Sequence, residues 1–116
     1  MRLTSTEAEI QKGIMDYLAA RRVFAIRINT GTFQNGKRFI QAHSAGAGLA
    51  DILAFPRIGF CTMPVPLWIE VKSASGRQSV EQKYFQQKVR SEAHLYVLAR
   101  SIEDVEMVLG QLGVKG

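Results

Sequence analysis

The chain has 116 residues, with 15 Lys and Arg against 10 Asp and Glu for a formal charge of +5, and 47% of it is hydrophobic. That length fits one domain of the usual ~100–200 residues, enough for a core without metal or disulfide staples, and the apolar fraction excludes wholesale disorder. No run approaches the ~20 apolar residues of a membrane helix, the polar Thr4–Gln11 stretch is unlike a signal peptide, and the single cysteine, Cys61, permits neither an internal disulfide nor a multi-thiolate zinc site and fits a reducing, cytosolic setting.

The first element is a helix from about Thr6 to Arg21, because Ile10, Ile14, Tyr17 and Leu18 recur at helical spacing. Thr6 with Glu9 three residues on has the pattern of a capping box. Val23 to Thr30 alternates Phe24, Ile26 and Ile28 with Ala25, Arg27 and Asn29, which predicts a strand with one polar face. Asn35-Gly36 is a hairpin turn, since both of its central positions need positive φ, and Arg38 to His43 is the return strand. Ser44 to Leu49, with Gly46 and Gly48, is a loop. Asp51 to Phe55 is a short apolar strand ended by Pro56, and Arg57 to Pro66 is irregular but apolar. Leu67 to Lys72 is a strand, and Ser73 to Arg77 a polar, glycine-containing turn. Ser79 to Ser91 is a helix with Val80, Tyr84, Phe85 and Val89 as its contacts. His94 to Ala99 is a strand, and Ile102 to Leu112 a helix capped by Ser101 with Ile102, Val105, Leu109 and Leu112 on its apolar face. The Leu67–Lys72 strand, its helix and the His94–Ala99 strand form a βαβ unit, whose strands are parallel with a right-handed crossover. The whole is an α/β domain, a small mixed sheet flanked by helices in the order α-β-β-β-β-α-β-α, occupying residues 1–116.

Charge is segregated along this order. No acidic residue lies between Asp16 and Asp51, whereas Arg21, Arg22, Arg27, Lys37 and Arg38 do. Lys72, Arg77, Lys83, Lys88 and Arg90 form a second group interrupted only by Glu81. A segregated positive surface suits a polyanion, most simply nucleic acid; a solvated basic face explains the same count.

The sharpest chemical feature is on the strand Leu67 to Lys72. Side chains alternate faces, so Trp68, Glu70 and Lys72 share one face, with the Cα atoms of the acid and the base about 6.5–7 Å apart. The apolar flanks make the strand central, where an ion needs a compensating partner. If the strand starting at Asp51 is its neighbour, Asp51 and Glu70 converge on one cation, and carboxylate oxygens are the ligands that Mg²⁺ and Mn²⁺ prefer. Such a metal activates water and polarises a phosphodiester, while a nearby lysine orients or deprotonates that water or offsets developing charge. An Asp followed later by Glu-x-Lys also arises by chance, and Glu70 with Lys72 can be a plain salt bridge. The loop with Gly46 and Gly48 just before Asp51 suits a site that admits a backbone.

With these residues in place, the chain resembles the VRR-NUC (virus-type replication-repair nuclease) family of the PD-(D/E)XK nuclease superfamily. The resemblance covers nearly the whole chain. It runs through Glu7-Ala8-Glu9-Ile10-Gln11 and Tyr17-Leu18, then Arg27-x-Asn29-Thr30-Gly31 and Gly48-Leu49-Ala50-Asp51-Ile52. Ile69-Glu70-Val71-Lys72, Gly76, Ser79-x-x-Gln82, Tyr96-Val97 and Ser101-Ile102-Glu103-Asp104-Val105 complete it. Ala50 departs from the family's usual proline. The resemblance implies a restriction-endonuclease-like fold, with Asp51 and Glu70 as metal ligands joined by the Val71 carbonyl. It implies that Lys72 positions or activates water and that Gln82 supports the site, although Gln82 also forms a capping box with Ser79. It further implies a metal-binding glutamate in the first helix. Glu7 lies near the Ile14–Leu18 side at about 100° per residue, whereas Glu9 points away and has a capping role, so Glu7 is favoured.

Arg27, Asn29, Arg38 and Arg77 are the candidate phosphate contacts, each of which can equally be a solubilising residue. Trp68 is read as packing under a helix, and His43 and His94 carry no metal spacing. The resulting expectation is a Mg²⁺- or Mn²⁺-dependent DNA endonuclease without a membrane partner. The family resemblance adds branched DNA such as Holliday junctions as substrate, a homodimer as the working form, and a bacterial or phage setting in DNA repair. A two-fold dimer supplies the two sites that symmetric cleavage needs, with Arg57–Pro66 and the last helix as interface material. The alternatives are a non-catalytic nucleic-acid-binding module with structural acids and a protein-interaction domain with an incidental basic face. A sequence-specific restriction-type enzyme would need base-reading elements for which the chain hardly has room.

Overall fold

Thr6, Ser79 and Ser101 each accept a hydrogen bond from the backbone N–H three residues on, satisfying a donor that a helix start leaves free. They open α1 (Glu7–Ala20), α2 (Val80–Ser91) and α3 (Ile102–Leu112). In α1 and α2 the side chains of Glu9 and Gln82 return the bond to the cap N–H, completing both capping boxes. Gly113, at φ 76°, ends α3 in the left-handed conformation that glycine adopts without strain. The computed structural model describes residues 5–28, 48–59 and 63–114.

Four described strands, β1 (Phe24–Arg27), β2 (Ile52–Phe55), β3 (Leu67–Val71) and β4 (Leu95–Ala99), form one sheet in that spatial order. The β1–β2 and β2–β3 pairs are antiparallel, and β3–β4 is parallel, as the βαβ reading requires. Register sorts the side chains. Ile52 opposite Ile69, Ala54 opposite Leu67, and Val71 beside Ala99 point to one face. There they meet Ile10, Ile14 and Leu18 of α1 and Val105 and Leu109 of α3 in the main core. Each fully buried aliphatic side chain in that layer contributes about 1.5–3 kcal/mol through burial. Against the other face of β3 and β4 lies α2, whose Phe85 meets Trp68 edge-on with ring centroids 5.0 Å apart. The molecule is thus the expected α/β sandwich of a mixed sheet between helices. The expected hairpin at Asn35-Gly36, the return strand Arg38–His43, Gly46, Phe60 and Cys61 lie outside the described residues.

Two details differ from the sequence expectation. On β1, Ala25 rather than the larger apolar residues packs toward the core, opposite Ala54, because α1 packs against this strand and small side chains let it approach. Phe24, 66% exposed, and Ile26 occupy the opposite face, where Phe24 stacks on Phe55 at 5.6 Å. On α2, Phe85 and Val89 face the sheet as expected, but Val80 and Tyr84 are 77% and 74% exposed. At about 100° per residue, Val80 and Tyr84 lie more than 130° from Val89, which a count of apolar residues alone does not register. The Arg57–Pro66 connection is pinned by an antiparallel bridge between Arg57 and Pro64 and by Val65 N–H donating to the Pro56 carbonyl at 2.9 Å. No helix among the described residues is long and apolar enough to cross a membrane.

Candidate active site

The alternation on β3 that buries Leu67, Ile69 and Val71 turns Glu70 to the α2 side, where it is 1% exposed. Because Ile52 pairs with Ile69, one further step of the antiparallel register sets Asp51 opposite Glu70. The backbone fixes Asp51 from both ends. Its N–H donates to the Ile69 carbonyl at 3.1 Å, and its Oδ2 accepts from Val71 N–H at 2.7 Å.

Glu70 is held by side chains. Gln82 Nε2 donates to Oε2 at 2.7 Å, while Lys72 Nζ stands 3.8 Å from the same oxygen. The Tyr96 hydroxyl reaches Oε1 at a long 3.4 Å and accepts from Gln78 Nε2 at 3.1 Å; Gln78 in turn is tied to Gln86 Oε1 at 3.1 Å. Gln82 serves the cap and the site at once, its Oε1 accepting from Ser79 N–H at 2.8 Å while its Nε2 holds Glu70. Both proposed uses of that residue are therefore compatible in one rotamer.

Burial dominates the electrostatics. Glu70 is pushed up to about 7 by desolvation and then by the Asp51 charge, against the opposing pull of Lys72 and the Tyr96 hydrogen bond. Desolvation also raises Asp51; the Val71 N–H and Lys72 oppose the rise, and Glu7 adds to it. Tyr96 is raised in turn, first by burial and next by the Glu70 charge. Closely spaced carboxylates that resist ionising together are a common mark of a functional cleft.

Glu7 reaches this centre from α1. A Cβ built on Gly76 would stand 3.2 Å from Glu7 Oε2 and 3.3 Å from Lys72 Cδ, so the carboxylate and the lysine stem both lie against the Gly76 backbone. Glu9 instead closes the α1 capping box with Thr6. Among the described residues no three His, Cys, Asp or Glu side chains form a preformed metal cluster; the Glu7 charge nevertheless acts on both Asp51 and Glu70. Arg27 ends β1 opposite Ile52, which puts it on the sheet face away from Glu70, although the neighbouring Ile28 N–H donates to the Asp51 carbonyl at 2.8 Å; Arg77 follows Gly76, and both arginine side chains are exposed. Asn29 and Arg38 lie outside the described residues.

Gly48 has a use other than the one its sequence suggested. It sits at φ +84°, and a Cβ there would be 2.3 Å from the Glu81 carbonyl oxygen and 2.8 Å from Gln82 N. The backbone it admits is that of α2, in the turn that presents Gln82. Gly48→Ala is expected to cost about 2 kcal/mol or more, from left-handed strain and overpacking, read as a lower midpoint of thermal unfolding. Trp68 packs under α2 as expected and donates from Nε1 to His94 Nδ1 at 3.3 Å, a role for His94 that its spacing did not suggest. Tyr96 and Gln78 are further residues at the site that sequence reasoning missed. For Tyr96 a signal existed: the parallel register sets it beside Trp68, on the Glu70 face.

No protein-family model matches this sequence, and no curated protein matches it. Solved structures do match, among them the following two. One, named "VRR_NUC domain", is 15% identical, covers 91% of this chain and 97% of its own, and superposes with a TM-score of 0.62. The other, named "VRR_NUC domain protein", is 19% identical, covers 97% of this chain and 98% of its own, and has a TM-score of 0.65. From α1 to α3, this chain has the fold of a VRR-NUC domain.

Proposed function

We propose that the chain is a divalent-metal-dependent endodeoxyribonuclease that cuts branched DNA such as Holliday junctions, working as a homodimer in a bacterial or phage-infected cytoplasm. The observation that carries this reading is a buried glutamate, Glu70, set opposite Asp51 with Lys72 on the same strand face. A carboxylate pair that desolvation holds above its ordinary titration range is poised to gain from a cation.

The donor set suits Mg²⁺ or Mn²⁺. Asp51 and Glu70 offer hard oxygens, as does the Val71 carbonyl, and Mg²⁺ is commonly held by one or two carboxylates together with substrate phosphates. Bound there, the ion would polarise the scissile phosphate and acidify the attacking water. Lys72 would orient that water or take its proton. Gln82 fixes the Glu70 carboxylate, and Glu7, from α1, would be the third carboxylate toward the ion. Arg27, Asn29, Arg38 and Arg77 are assigned phosphate contacts from the sequence, and of these Arg77 adjoins the Gly76 backbone beside Glu7 and Lys72. One small domain carries one such site, so paired incisions call for two copies related by a two-fold axis. The exposed side chains of Met63, in the Arg57–Pro66 connection, and Met107, on α3, are apolar material for that interface.

The test is cleavage of four-way, flapped and linear duplex DNA with Mg²⁺, with Mn²⁺ and with chelator, beside a light-scattering mass. The expected result is metal-dependent cutting with preference for the junction and the mass of a dimer. DNA binding without cutting under any metal would instead identify a non-catalytic binding module.

A further inference from the structure

Arg100 lies just past β4 and takes no part in the carboxylate cluster, yet one guanidinium nitrogen, Nη1, is held by several carbonyls of the chain. Nη1 donates to the Ser73 carbonyl at 2.6 Å and the Gly76 carbonyl at 2.8 Å, with the Ala74 carbonyl at 3.3 Å. One nitrogen has two hydrogens, so the two short bonds take one each and the third is shared. These carbonyls belong to a turn already closed by Gly76 N–H donating to the Ser73 carbonyl at 3.1 Å. The base of the arginine is also fixed: Arg100 N–H donates to Asp104 Oδ2 at 2.8 Å, and Asp104 N–H donates to the Ser101 cap at 3.3 Å. The clamp therefore connects the start of α3 to the residues that follow Lys72.

What the clamped turn touches gives the clamp its meaning. The Gly76 backbone lies against Glu7 Oε2 and the Lys72 stem, and Ser73 Oγ stands 3.2 Å from the same Gly76 Cβ position. We infer that Arg100 is a positioning residue, which fixes the Ser73–Gly76 turn and through it sets where the Glu7 carboxylate stands relative to Lys72. The consequence for catalysis rests on the nuclease reading. Charge-assisted bonds to several carbonyls from one planar head are what arginine supplies and lysine, a mobile point charge, reproduces only in part. The turn is otherwise weakly held, because Ala74 and Ser75 are exposed and contribute nothing to the core.

The test uses the full chain with Arg100→Ala, Arg100→Lys and Glu7→Gln, and the double variant Glu7→Gln with Arg100→Ala. Backbone NMR of the metal-free protein is expected to show the Gly76 amide displaced in Arg100→Ala and partly restored in Arg100→Lys. Mg²⁺ titration, followed by the same resonances and by cleavage, should require about 10-fold more metal in Arg100→Ala, the usual loss when a residue supporting a metal ligand is removed. The maximal rate at saturating metal should change less. In the Glu7→Gln background the same substitution should add almost nothing. An unmoved Gly76 resonance, an unchanged metal midpoint, or an equal shift with and without Glu7 would each overturn the inference. The metal-free resonances report on the turn whether or not DNA is cut. A wild-type chain that never cuts DNA while Gly76 responds to Arg100→Ala would thus sink the nuclease reading and leave the clamp standing.

Discussion

Glu70→Gln is expected to lose cleavage by at least about 10²–10³-fold while making the metal-free protein more stable above neutral pH. The rate loss follows from the several kcal/mol that a bound divalent ion contributes to a phosphoryl transition state, at 1.36 kcal/mol per decade. The gain in stability comes from the cost of holding this group ionised. Folded Glu70 keeps its proton up to about 7, whereas the reference value is 4.5. Between those pH values the native state binds more protons than the unfolded one, so stability falls as pH rises through the window and the full loss is present above it. At 1.36 kcal/mol per pH unit the cost is on the order of 3 kcal/mol. Glutamine keeps the shape and accepts the Gln82 bond but carries no charge, so its unfolding curves should lack that descent. Mg²⁺ should raise the unfolding midpoint of the wild type more at pH 8 than at pH 5, and that of Glu70→Gln hardly at all. Parallel pH profiles for the two proteins, with equal response to Mg²⁺, would show that Glu70 bears no such burden.

Lys72→Ala should cut the single-turnover rate roughly 10²–10⁴-fold at saturating metal, the range for removing a positioned acid–base group. Its effect on Glu70 runs opposite to that of the glutamine variant. Lys72 lowers the pKa of Glu70, so without it the carboxyl holds its proton to still higher pH. The metal-free fold then loses stability at neutral pH, and more metal is needed to displace the proton. Lys72→Met keeps an apolar stem against Gly76 and separates the charge from the packing. A lysine that only balanced charge would leave the saturated rate near that of the wild type in both variants.

The parts of this molecule that local rules govern were legible in the sequence. Three helix starts followed from hydroxyl caps, and the Leu67–Lys72 alternation put Glu70 and Lys72 on one face before any neighbour was known. The convergence of Asp51 on Glu70 needed one assumption, that their strands are adjacent, and the antiparallel β2–β3 register meets it. Choosing Glu7 over Glu9 followed from helix periodicity and from the cap that occupies Glu9. What depended on distant packing was harder to read. The Gly48 contact with Glu81 and the Arg100 clamp join segments about 30 residues apart, and no local pattern marks them. β1 misled for a related reason: alternation shows that a strand has two faces, but which face is buried depends on what packs there, and α1 selected the alanines.

The most direct measurement is metal-dependent cleavage of a four-way junction by the wild type, Asp51→Ala and Lys72→Ala, each first shown to be folded by its thermal transition. If Asp51, Glu70 and Lys72 form the reaction centre, the wild type cuts with Mg²⁺ or Mn²⁺ and stops with chelator, and each variant falls at least about 10²-fold. Metal-dependent cutting that survives both substitutions would contradict the assignment of this site.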